Sequence, residues 1–224
     1  METYLPPKFP QIKICGLTST DEALKCASAG ANAIGLVFFK KSPRYIKPEK
    51  AKVICASLGD EVTTVGVFVN EPFNSIMDIV STSNLGAVQL HGNEPPKFVR
   101  QLTDQGLIVI KGLYMESQPS ITQVSTYNAS AYLVECAQGI LPGGNAMTWN
   151  WEDAAGFAEN HPMVLAGGLS PENVASAINK SIPDAVDVSS GVERAPGKKD
   201  IHKVKQFIKA VREYTPSRKL RRIF

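Results

Sequence analysis

The stretch Ile12-Lys13-Ile14-Cys15-Gly16-Leu17-Thr18-Ser19-Thr20-Asp21-Glu22 contains the unit from which the rest of the chain is built. Ile12 to Gly16 is a short, mostly apolar run of strand type. Ser19-Thr20-Asp21-Glu22 has capping-box spacing, a hydroxyl followed three residues later by a carboxylate. The spacing predicts a helix that runs to Gly30, where glycine supplies a left-handed stop. The same order then returns. Ala33-Ile34-Gly35-Leu36-Val37-Phe38 precedes a helix opened by Pro48 and ended at Gly59, and Thr64-Val65-Gly66-Val67-Phe68-Val69 precedes one with Phe73, Ile76, Ile79 and Val80 on one face.

Five more apolar runs follow, at Ala87–Leu90, Leu107–Ile110, Ala131–Val134, Met163–Ala166 and Ala185–Val188. The helical segment after the fifth strand, around Ser120 to Tyr127, is weak. Asn150 is placed to cap a helix carrying Trp151, Ala154, Ala155 and Ala158, and Ser170-Pro171 reads as a cap and first-turn proline. Ile201, Val204, Phe207, Ile208 and Val211 mark the last helix. Short strands that are apolar at nearly every position suit a parallel sheet buried on both faces. Eight strand–helix units favour closure over an open doubly wound sheet, and no Gly-x-Gly-x-x-Gly follows the first strand. The fold expected is α/β, a single (β/α)8 TIM barrel over residues 11–214, with an N-terminal extension at 1–10 and a basic tail at 215–224.

A chain of 224 residues, 43% hydrophobic and 20% charged, can bury a large core as one domain. Its net charge of +3 is too small to argue for nucleic acid, and much of the excess sits in Arg218-Lys219-Leu220-Arg221-Arg222, read as a solvated, mobile end. Cys15, Cys26, Cys55 and Cys136 form no Cys-x-x-Cys pair, and His91, His161 and His202 are scattered. No disulfide framework and no metal site is expected, which favours a reducing compartment. With no apolar signal core near Met1 and no run long enough for a bilayer, the chain reads as cytoplasmic and without a membrane partner.

In a barrel of this kind the chemistry sits in the loops after the strands. Gly167-Gly168 and Ser189-Ser190-Gly191 follow strands seven and eight, where backbone N–H groups can approach a phosphate closely. Cys15 ends strand one and is a candidate base if a nearby cation lowers its thiol. Glu135 ends strand six and reads either as an acid at the barrel mouth or as an ion-pair partner of Lys111. Arg44 reads as a carboxylate-binding fork or a solvated loop residue, and His91 as a site or structural histidine.

These residues occur in motifs that resemble those of phosphoribosylanthranilate isomerase, in order along nearly the whole chain. The matching motifs are Lys13-Ile14-Cys15-Gly16-Leu17-Thr18, Ser42-Pro43-Arg44, Val65-Gly66-Val67-Phe68, Gln89-Leu90-His91-Gly92, Ala166–Asn173 and Val186–Glu193. The resemblance implies an Amadori rearrangement of N-(5-phosphoribosyl)anthranilate in tryptophan biosynthesis, with no cofactor and a small phosphosugar as partner. It implies Cys15 as general base, Glu135 as general acid, Arg44 on the substrate carboxylate, His91 in the substrate site, and Gly167, Gly168, Ser189, Ser190 and Gly191 around the phosphate. Oligomeric state, monomer or homodimer, is left open.

Two departures fall together. Glu135 stands where the family has aspartate. The following family stretch, similar to Gly-Gly-Thr-Gly-Lys-Thr-Phe-Asp-Trp, reads Gly143-Gly144-Asn145-Ala146-Met147-Thr148-Trp149-Asn150-Trp151 here. Besides the isomerase, two readings therefore stay open: a paralogue on the same barrel with another phosphosugar or aryl-amine substrate, and a non-catalytic phosphosugar-binding protein.

Overall fold

Each predicted strand forms and hydrogen-bonds in parallel to the next in the computed structural model, which describes residues 5–136 and 148–224. In chain order the elements are β1 (Gln11–Cys15), α1 (Thr20–Ala29), β2 (Ala33–Val37), α2 (Pro48–Leu58), β3 (Thr63–Phe68), α3 (Phe73–Ser83), β4 (Ala87–Leu90) and α4 (Pro96–Thr103). They continue with β5 (Ile108–Tyr114), β6 (Ala131–Glu135), α5 (Ala155–Asn160), β7 (Met163–Leu165), α6 (Val174–Ser181), β8 (Ala185–Val188), the short hairpin β9 (Glu193–Ala195) and β10 (Lys198–Lys199), and α7 (Ile201–Arg212). β1 pairs with β2 through Lys13 opposite Ala33 and with β8 through Gln11 opposite Ala185, which closes an eight-stranded barrel.

Because side chains alternate across a strand, each strand serves two cores. Ala33, Val65, Ala87, Ile110, Ala131, Leu133, Val164 and Ala185 fill the barrel interior. Ile12, Ile34, Leu36, Val88, Leu113, Val134 and Leu165 belong to the larger outer core that includes the helices. That double demand is why the strands read as continuous apolar runs. Among the described residues no helix is long and apolar enough to cross a membrane.

Local expectations hold at several stops and fail at others. Gly30 ends α1 in the left-handed region, with φ 108°. Ser19 sits at the N-cap of α1 but its side chain caps nothing, and Glu22, the other half of the expected box, is taken by the hairpin: it accepts from Arg194 Nη2 at 2.9 Å and from the buried Lys199 N–H at 3.1 Å. Around Ser120 the weak segment is a 3-10 turn, Ile121–Thr126, held by a Ser120–Gln123 capping box. The helix expected after Asn150 is split into a 3-10 turn, Trp151–Ala154, and α5, and the Asn150 amide bonds Asp153 rather than the backbone.

The basic tail is not a solvated end. Arg218 and Arg221 reach the fully buried Asp184, with N–O distances of 2.8 and 3.2 Å, while Ile223 and Phe224 are buried against the interior alanines. Gln11 accepts from the Ile223 N–H and donates to the Phe224 main-chain oxygen, both at 2.6 Å. A buried carboxylate needs cations, and Asp184 draws the tail onto the barrel.

Candidate active site

Strand parity decides which functional side chains meet. Cys15, His91, Glu135 and Ser189 lie at inward positions where the strands end, and they open into one cavity. All the predicted site residues line it, Arg44, Gly167, Gly168 and Ser190 included, except Gly191. Gly191 stands behind the wall, in the turn Ser190–Val192. A β-carbon there would overlap the Leu169 carbonyl oxygen, so glycine lets the loops after β7 and β8 touch.

On the β1 side, the Cys15 thiol and the Lys13 ammonium crowd over Gly35, whose missing β-carbon would lie 2.6 Å from Sγ and 3.0 Å from Nζ. Lys13 is fully buried and pairs with Asp187 at 3.0 Å. Burial alone would push the Lys13 ammonium down, but Asp187 and Cys15 hold it above its ordinary value. The expectation of a lowered cysteine is only half met. Burial pushes the Cys15 thiol up, Lys13 pulls it back, and Asp187 opposes Lys13, so the balance stays above the ordinary value.

On the opposing side, Glu135 does not pair with Lys111. Lys111 points to the outer face of β5, where its ammonium bonds Glu94 at 2.9 Å and the Gly92 carbonyl at 2.7 Å. Glu135 is buried in the mouth with Oε2 3.3 Å from Nε2 of His91. Nδ1 of His91 lies 3.1 Å from the Gln89 amide. The extra methylene of the glutamate is housed by Gly167: a β-carbon there would sit 3.0 Å from Glu135 Cγ and 3.1 Å from Nε1 of Trp149. Trp149 donates from that nitrogen to the Ala166 carbonyl at 3.1 Å. Trp149, Asn150 and Trp151 are thus placed, whereas Gly143, Gly144, Asn145, Ala146 and Met147 lie outside the described residues.

Between the two sides run the loops after β7 and β8. Gly167 and Gly168 have φ of 88° and 66°, conformations that free their backbone to turn toward a ligand. Ser170-Pro171 does not open α6, which starts at Val174. The Asn173 side chain instead accepts from the Ser170 N–H and donates to the Gly168 carbonyl, each at 2.8 Å, and this turn replaces the first helical turn. Ser189 donates to the Cys15 carbonyl at 3.1 Å, tying the eighth loop to the first strand. Arg44 is not solvated either. Nε and Nη2 bond both oxygens of Glu193 at 2.9 and 2.7 Å, and Lys199 bonds the same carboxylate at 2.8 Å. Arg44 still lines the cavity, with Nη1 uncommitted among the described residues.

The sequence and the barrel are similar to those of known proteins. A model of the N-(5'-phosphoribosyl)anthranilate (PRA) isomerase family matches residues 12–210. The chain belongs to that family. A PRA isomerase of Desulfatibacillum aliphaticivorans is 48% identical over 198 residues, 88% of this chain and 91% of the relative. The crystal structure of the PRA isomerase from Thermotoga maritima superposes with TM-score 0.85 at 40% identity, covering 92% of this chain and 100% of that one. Another PRA isomerase structure, holding reduced 1-(o-carboxyphenylamino)-1-deoxyribulose 5-phosphate, superposes with TM-score 0.82 at 39% identity, again covering 92% and 100%.

Lys13, Asp187, Gln89 and Glu193 were not singled out by sequence reasoning, whereas Trp149 and Met147 were marked as residues that would change what a diverged pocket binds, and Met147 lies outside the described residues. The first three carried a usable signal: each is polar and lies two positions from a candidate residue on its strand, Cys15, Ser189 or His91, and so faces the same way. Glu193 carried none, because loop geometry alone brings it to Arg44.

Proposed function

We propose that this chain converts N-(5-phosphoribosyl)anthranilate to 1-(2-carboxyphenylamino)-1-deoxyribulose 5-phosphate, a step of tryptophan biosynthesis, with residues 11–214 as the catalytic unit. The observation that carries the reading is the placement of a buried thiol and a buried carboxyl in one cavity beside two glycine-bearing loops. Glu135 protonates the ring oxygen, and the sugar opens to a Schiff base. The Cys15 thiolate removes the C2 proton, the C–H electrons form a C1–C2 double bond, and the iminium nitrogen takes up the displaced pair. Protonation at C1 and loss of the hydroxyl proton at O2 then give the ketone. C1 is reduced and C2 oxidised within one molecule, so electrons balance without a redox cofactor.

Gly167, Gly168, Ser189, Ser190 and Gly191 take the phosphate. Arg44 offers its Nη1 edge to the anthranilate carboxylate, and His91 stands on the acid's side of the substrate. A reducing cytoplasm suits a reaction whose base must remain a free thiol, as the four described cysteines are. The test is turnover of freshly made substrate, followed by loss of its fluorescence, for wild type, Cys15→Ser and Glu135→Gln. We expect rapid wild-type turnover and losses of about 10²-fold or more in each variant. A folded wild type that binds the reduced product analogue without turning over substrate would move the reading to a different substrate or to a binding protein.

A further inference from the structure

We propose that Glu193 is a positioning residue: it aims the guanidinium of Arg44 and thereby makes the site selective for a phosphosugar whose aryl amine carries a carboxylate. The inference deepens the role given to Arg44 above and rests on it. Glu193 itself does not line the cavity, so it acts through the side chain it holds.

A guanidinium on a free stem loses affinity when its ligand must order it, and one fixed in advance does not. Arg44 is fixed along its length. Its N–H donates to the Ser42 hydroxyl at 3.1 Å. Its stem crosses Gly16, where a β-carbon would overlap Cδ and stand 3.2 Å from Cγ. Its head donates from Nε and Nη2 to the two oxygens of Glu193, and the two side chains are only 12% and 5% exposed. Such a bidentate pair sets the plane of the guanidinium as well as its place, and it leaves Nη1 for a ligand.

Glu193 is seated as firmly. The buried Lys199 ammonium bonds Oε1 at 2.8 Å and the Ser189 carbonyl at 3.0 Å, and the Gly197 N–H donates to the same Oε1 at 3.3 Å. The carboxylate is thus tied to the loop after β8, which carries residues given to the phosphate. Burial alone would push the Glu193 carboxyl up, but Arg44 and Lys199 hold it below its ordinary value, so the fork stays ionised. Charge points the same way. Arg44 and Lys199 set two positive charges against one negative, a surplus of one beside the cavity. Asp187 is paired with Lys13 and Glu22 with Arg194, so neither cancels it. A carboxylate arriving at Nη1 balances the set.

The test is binding of two probes, reduced 1-(o-carboxyphenylamino)-1-deoxyribulose 5-phosphate and its counterpart without the ring carboxylate. Wild type should prefer the first by about 10- to 100-fold. Glu193→Gln removes the charge, and Glu193→Asp keeps it but draws the fork back by one methylene. Each should lose most of the preference, while affinity for the carboxylate-free probe holds. In turnover, KM should rise with kcat nearly unchanged. In an Arg44→Ala background, Glu193→Asp should change neither affinity further. Equal loss for both probes would make Glu193 a structural support of the loop and overturn the proposal, as would a full preference in either variant. If Glu193→Gln does not fold, Glu193→Asp decides alone. A wild type without preference would mean that the carboxylate assignment of Arg44 has itself failed, and the proposal falls with it.

Discussion

At residue 15 the balance of burial and charge has a direct kinetic consequence. Burial and Asp187 raise the thiol and Lys13 lowers it, with burial dominant. As the proposed base, Cys15 must be deprotonated to act, so the active fraction is expected to grow as pH rises through the elevated value and to shrink below it. The ascending limb of kcat/KM against pH should therefore extend above the ordinary cysteine value of about 8.5. Lys13→Met removes the downward pull, and the limb should move to still higher pH with a loss of activity at neutrality; an unmoved limb would show that Lys13 does not act on the thiol. That Cys15 and Glu135 would stand at the cavity was legible from their places at strand ends, and their proposed roles came from the motif resemblance. The inward facing of Lys13 and Asp187 could be read from strand alternation, but their pairing could not, because only barrel closure brings β1 beside β8.

At the level of elements, local rules gave way where a distant partner offered more. Ser19 and Glu22 have the spacing of a capping box, yet Glu22 bonds the β9–β10 hairpin instead. Its ion pair with Arg194, whose side chain is 58% exposed, contributes little. The bond to the Lys199 N–H matters more, because that residue is fully buried and an orphaned amide costs about 1–3 kcal/mol. Glu22→Ala should lower unfolding free energy by that amount in denaturant melts, and Glu22→Gln should restore much of it. Gly191→Ala has a different signature. The clash with the Leu169 carbonyl pushes the two glycine-bearing loops apart, so KM should rise several-fold while the melt shifts less than for Glu22→Ala. The strands and glycine stops were readable because they depend on neighbours along the chain. The start of α6 was not, because Asn173 reaches back to Ser170 and Gly168.

For the whole molecule, the two ends of the barrel divide the labour between chemistry and stability. The end away from the cavity is floored by alanines that begin the even strands, Ala33, Ala87, Ala131 and Ala185, and Ile223 and Phe224 fill the space they leave. Leu220, Ile223 and Phe224 are buried there, and Arg218 and Arg221 tie the same segment to the fully buried Asp184. The deciding effect is Asp184, which loses both arginines. Deleting residues 218–224 should destabilise the protein by roughly 3 kcal/mol, the low end for an orphaned buried charge because water can then reach it. kcat should hold, and Asp184→Asn in the shortened chain should recover part of the stability. If kcat fell with stability unchanged, the two ends would not be separate. By itself the sequence determined the eight strand–helix units, the barrel and which side chains stand at the strand ends, since periodicity, turn residues and motifs are properties of neighbours in the chain. Only the tertiary structure decided that Arg44 and Lys199 share Glu193, that Glu135 faces His91 rather than Lys111, and that the tail closes the barrel floor. Those pairings depend on which inward positions meet once the sheet closes, and that is set by register and packing rather than by sequence spacing.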